Sequence, residues 1–132
     1  MRSPAAVVPL LVFEAADCLM AIPASEVAQL ENAPRTPLFD LGDYFGGCES
    51  DGPWLQWMRG PQNASLRVQR VVDVVSIEVS SLAPMPVLLR GERRTRAFLA
   101  AGVSGEEVFL LLDPARLGNS FVGRDSRRAT RK

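Results

Sequence analysis

Histidine is absent from the 132 residues. The chain therefore lacks the usual general base near neutral pH and the commonest metal ligand. Cys18 and Cys48 are its only cysteines, too few for a disulfide scaffold or a four-thiolate zinc site. Net charge is also missing: 15 Lys and Arg balance 15 Asp and Glu, so no overall field draws the molecule to nucleic acid or an acidic membrane. Apolar runs stay short. The first, at 5–13, is interrupted by Glu14 and Asp17, and nowhere do ~20 apolar residues run together as a membrane span requires. We read that first run as a β-strand rather than as an export signal, and expect a cytoplasmic protein without membrane insertion. What the chain does have is material for a core, with 47% hydrophobic residues. At this length one domain is expected.

The apolar pattern is that of strands. Val7-Val8-Pro9-Leu10-Leu11-Val12-Phe13 is rich in β-branched and large apolar residues. A break at Ala15-Ala16-Asp17 separates it from Cys18-Leu19-Met20-Ala21-Ile22, which Pro23 closes, so the two predict a hairpin. Residues 25–30 fit a helical turn or a strand. Asp40 can cap a short helix that Gly46 ends, and Trp54-Leu55-Gln56-Trp57-Met58 reads as a core strand. Between 66 and 79, Leu66 and Val68 alternate with Arg67 and Gln69. Val71, Val72, Val74, Val75, Ile77 and Val79 follow, broken by Asp73, Ser76 and Glu78, a composition that suits a pleated surface. Strands at 97–103 and 108–112 flank a turn containing Gly105, and Asp113-Pro114 starts a helical turn. Seven or eight short strands without a βαβ rhythm predict an all-β barrel or sandwich. From Gly118 the chain has five basic residues against one acid and few large apolar ones, and 118–132 is expected to be a flexible basic tail.

No catalytic set stands out. The carboxylate pairs Glu14/Asp17, Asp40/Asp43 and Glu106/Glu107 fall at turns and caps, where acids are ordinarily found. Cys18 has no histidine to deprotonate it and is expected to be a buried structural thiol. Gly42, Gly46 and Gly47 lack the Lys-Ser/Thr of a phosphate loop. The stretch Arg90-Gly91-Glu92-Arg93-Arg94-Thr95-Arg96, with the tail, supports an alternative reading as a small β-barrel nucleic-acid binder. Aromatic residues are not interleaved there for base stacking, so nucleic acid is not the expected partner. Residue chemistry thus implies a noncatalytic β module, without metal or cofactor, that works by presenting surfaces.

The order of motifs resembles the CheW-like family, the coupling proteins of bacterial chemosensory arrays. Leu11-Val12-Phe13-Glu14, then Cys18-Leu19-Met20-Ala21-Ile22-Pro23 and Glu26-Val27, resemble its first hairpin and the strand after it. Pro37-Leu38-Phe39-Asp40-Leu41 with Phe45-Gly46 is similar to its Pro-apolar-apolar-Asp-Leu segment. The stretch from Leu66 to Val74 resembles its Leu-x-Val-Asp-x-Val-x-x-Val strand, with Gln69 where the family usually has Asp. Val108 to Asp113 with Leu117 is similar to its closing segment. The resemblance covers residues 8–117. One departure is large: Val27 stands only ten positions before Pro37, and the family's Gly-x-x-Asn-Leu-Arg-Gly-like strand, with its signalling Arg, is absent. In this the chain resembles the shortened, FrzB-like coupling proteins of the Frizzy motility system of gliding bacteria.

The resemblance implies an all-β pair of small SH3-like barrels, the first truncated, over residues 1–117. It implies an adaptor that binds the cytoplasmic domain of a methyl-accepting chemoreceptor. Bridging to a CheA-type histidine kinase would be weakened or lost, and that kinase or another CheW-like protein is the further partner the resemblance implies. On this reading the residues expected to meet a partner are Val27, Val68, Val71, Val72, Val74 and Val75.

Overall fold

The computed structural model describes residues 6–31, 37–84 and 94–117. Among these residues ten strands lie in two sheets. The first two are β1 (Val7–Ala15) and β2 (Cys18–Pro23). Then come β3 (Val27–Glu31), β4 (Leu38–Asp40), β5 (Trp54–Arg59) and β6 (Gln62–Arg67). The last four of these strands are β7 (Arg70–Glu78), β8 (Ala83–Pro84), β9 (Phe98–Ser104) and β10 (Glu107–Leu112). One six-stranded sheet has the order β7-β1-β2-β10-β9-β8 and one four-stranded sheet the order β3-β5-β6-β4. The smaller sheet is a single continuous excursion of the chain, leaving after β2 and returning at β7.

β1 and β2 form the expected hairpin, paired from Leu10 with Pro23 to Ala15 with Cys18. Its two-residue turn places Ala16 (φ 52°) and Asp17 (φ 62°) in the left-handed region, the geometry that matches strand twist. Both strands are apolar almost throughout because both faces are covered. Leu10, Val12 and Ala21 join Phe109 in a small core inside the six-stranded sheet. Phe13, Met20 and Ile22 turn the other way, against Leu55, Trp57 and Leu66 of the four-stranded sheet, and make the larger core. Burying such side chains contributes about 1.5–3 kcal/mol each, so the two sheets are held mainly here.

A single-turn helix, α1 (Leu41–Tyr44), seals one end of that larger core. Asp40 caps it, accepting from the Asp43 N–H and also from the Ser50 N–H. Tyr44 and Phe45 meet edge to face, and Phe45 stacks on Phe98 at 4.8 Å, which ties the helix to β9. Residues 24–26 form one 3-10 turn before β3, so this stretch holds both of the structures its sequence allows.

Residues 66–79 are not one strand. β6 ends at Arg67, and β7 begins three residues later in the other sheet. Gly52 makes the crossing possible: a Cβ there would collide with the Val68 and Gln69 carbonyl oxygens. Cys18, expected to be buried, is exposed, because it is the residue on which the hairpin turn closes.

Candidate docking surface

β7 lies at an edge of the six-stranded sheet and pairs with β1. Their register shifts between Val12, opposite Asp73, and Phe13, opposite Val71, which leaves Val72 as the extra residue of a β-bulge. The bulge changes which residues share a face. Val71 packs on the larger core, Val75 and Ile77 pack on the smaller one, and Val74 turns outward opposite Leu11. Val74 is 52% exposed, Val72 37% and Val7, at the start of β1, 55%. The edge thus presents apolar side chains to solvent while its inner valines anchor it.

Of the six residues the sequence singled out, Val71, Val72, Val74 and Val75 share this strand. Val72 and Val74 expose their side chains to solvent, whereas Val71 and Val75 pack inward, one on each core. Val68 stands apart from them. It is fully buried in the larger core, on the crossing between sheets, so its side chain cannot touch a partner. Val27 lies on the other sheet, opposite Trp57, and is half-buried against the same core. Val103 and Val108, outside those six, face each other across the β9–β10 hairpin and are 58% and 60% exposed. Their place beside the Gly105 turn was the available signal.

A charge cluster fixes one sheet against the other. Glu26, after β2, accepts from the Trp57 indole N–H at 2.8 Å and from Arg59 Nε at 3.0 Å. Arg59, at the end of β5, also lies 3.1 Å from Asp113, which follows β10. Arg59 sits 5.3 Å from the Trp57 ring centroid as well. The hydrogen bond to Glu26, outweighing partial burial, and the charge of Asp113 hold its guanidinium above the ordinary arginine value. Asp113 completes the arrangement by accepting from the Ala115 N–H as cap of the last helical turn.

Two further acids tie distant segments together. Glu14 pairs with Arg70 at 2.9 Å, and Gln69 reaches Asp51 at 2.8 Å. Glu14, Ala16, Asp17, Cys48 and Gln69 line an open, mostly polar recess of about 280 Å³ beside the first hairpin turn. Among the described residues no group of three His, Cys, Asp or Glu could hold a metal ion, and no helix is long and apolar enough to cross a membrane. Most of the Arg90 to Arg96 stretch and the whole of 118–132 lie outside the described residues.

No family model matches the sequence, and no curated protein matches it. Solved structures do. One is the scaffolding protein TtCheW of Thermoanaerobacter tengcongensis, with a TM-score of 0.68 over 81% of this chain and 89% of that one. The chain has a CheW-like fold. Sequence identity with that protein is 17%, so the likeness rests on strand order and pairing rather than on shared side chains. The CheW-like fold accounts for the two-sheet architecture and for the motif order read from the sequence. Its smaller sheet has four strands among the described residues, and the ten positions from Val27 to Pro37 leave little length for another.

Proposed function

We propose that this protein is a noncatalytic adaptor of a bacterial chemosensory system, acting in the cytoplasm through residues 1–117. The observation that carries this reading is the CheW-like fold, together with an apolar strand edge where an adaptor needs a contact surface. Its partner is the helical cytoplasmic domain of a methyl-accepting chemoreceptor, which docks against Val72 and Val74, with Val71 and Val75 holding the strand and Val27 bracing the neighbouring sheet. Bridging to a CheA-type kinase is weak, because the short Val27 to Pro37 connection reduces the first lobe. Such a role suits control of motility by contact alone.

The test is calorimetric titration of the full chain with a soluble chemoreceptor signalling fragment and, separately, with the kinase regulatory domain. Val72→Arg and Val74→Arg place a charge where apolar contact is needed and should weaken receptor binding at least tenfold without unfolding the protein. Receptor affinity unchanged in both folded variants would remove β7 as the surface. Strong kinase binding without receptor binding would reverse the assignment of partners.

A further inference from the structure

Val103 and Val108 are the two most exposed large apolar side chains among the described residues. They lie opposite each other in β9 and β10, as do Ala101 and Leu110 one step along. Side chains two apart on a strand share a face, so Val108 stands on the face of Leu110, which packs on the larger core. Leu110 pairs with Met20 of β2, and two residues back along that parallel register Cys18, also exposed, comes beside Val108. Val103, Val108 and Cys18 thus form an apolar strip at one end of the sheet. Its rim has one sign of charge. Glu106 and Glu107 lie between the two valines in the chain and Asp17 precedes Cys18; all three are exposed, and none joins an ion pair among the described residues. The β7 edge differs, since Arg70 stands there with Asp73 and Glu78.

The sequence after Leu117 has the complementary chemistry. It holds one pair of large apolar residues, Phe121-Val122, and then Arg124, Arg127, Arg128, Arg131 and Lys132 against Asp125 alone. We propose that residues 118–132 cover this strip of their own chain, with Phe121 and Val122 on Val103 and Val108 and the basic residues facing Glu106, Glu107 and Asp17. The side of departure fits: Leu117 is buried in the larger core together with Leu112, which shares the face of Leu110 and Val108. The reach fits as well. Four extended residues, Gly118 to Phe121, span about 13 Å, and the four steps of strand from Leu112 back to Val108 also measure about 13 Å. Exposed ion pairs are weak singly, so the apolar pair anchors the contact and the charges orient it. The basic charge that would otherwise suit nucleic acid is then engaged by the protein's own acids.

This inference does not rest on the adaptor reading, and its test contains no receptor. The measurement is the amide and methyl NMR spectrum of the full chain, in reductant because Cys18 and Cys48 are exposed thiols. A synthetic peptide of residues 118–132 supplies the signals of an undocked tail. The Phe121 and Val122 amides of the protein should stand apart from those of the peptide. Val108→Ser should move them most of the way to the peptide positions, and Glu106→Gln with Glu107→Gln about half as far, since the charges only assist. In return, Phe121→Ser should move the Val103 and Val108 methyl signals. In the Cys48→Ser protein, Phe121→Ser should also quicken alkylation of Cys18 by iodoacetamide about threefold or more, because the strip is uncovered and no charge near the thiol changes. Val108 is exposed, so its variant should keep the parent spectrum elsewhere; should it unfold, Phe121→Ser decides alone. Tail amides that match the peptide in the parent protein overturn the proposal, as do valine methyls indifferent to Phe121→Ser. Tail signals that reach the peptide positions on roughly tenfold dilution would assign the contact to a second copy and overturn it as well.

Discussion

Gly102→Ala probes whether the smaller core is as full as its geometry implies. Gly102 lies in β9 directly opposite Phe109 of β10. An added Cβ would collide with the Phe109 ring and lie 2.9 Å from Leu82 Cδ2. Leu82 is half-buried at the end of a 3-10 turn and can shift. Phe109 has less freedom, since it is 1% exposed and shares its cluster with Leu10, Val12 and Ala21, all buried. Forcing one methyl into such a core costs about 1–3 kcal/mol. Phe109→Leu alone opens space and costs roughly 1–2 kcal/mol. In the double variant the leucine vacates the region the new methyl needs, so the combined loss should fall short of the sum by about 1 kcal/mol. Urea unfolding followed by tryptophan fluorescence gives all four corners of the cycle, and at this length each kcal/mol moves the melting temperature by roughly 3–5 °C. Additive losses, within about 0.5 kcal/mol, would refute the close packing of Gly102 against Phe109.

Four further outcomes are expected. Glu26→Ala leaves the Trp57 indole N–H without its acceptor and should cost about 1–3 kcal/mol, whereas Glu26→Gln keeps an acceptor oxygen and should cost less than half as much in the same denaturation assay. The raised arginine in that cluster stabilises the fold at pH values below its ordinary range and loses the effect only as pH climbs through the folded value. Its share should therefore stay constant across roughly pH 6–10 in pH-dependent melts. Val68→Ala should destabilise by about 2 kcal/mol, and Val72→Ala should remain within about 0.5 kcal/mol of the parent, separating the buried valine from the exposed one by thermal melting. Asp17→Gly should raise stability by about 0.5–1 kcal/mol, since glycine removes the steric cost of φ 62° at an exposed position. Ala16, packed on the core, is the poorer site for the same change.

Sequence made the hairpins and caps legible because their signals are local. The break at Ala16-Asp17, the turn at Gly105 and the capping acids Asp40 and Asp113 all act within a few residues of themselves. The pairing of β2 with β10 could not be read that way: Met20 lies beside Leu110, with no pattern in either strand that selects the other. The valines of 66–79 hid two events for a related reason. Valine satisfies either face of a sheet, so neither the crossing at Val68 nor the phase change at Val72 disturbs the apolar pattern. The docking residues divided accordingly. Composition alone singled out the strand, but which of its side chains reach solvent is decided by the bulge.

The excursion formed by β3 to β6 has a consequence for synthesis on the ribosome. Every neighbour those four strands need for their own ladder lies within residues 27–67, so that unit can zip up while the rest of the message is still being read. β2, made earlier, must wait for β10 before its second edge is covered. The N-terminal hairpin is then the part of the nascent chain exposed longest with an unpaired edge, and a chaperone that shields strands would act there.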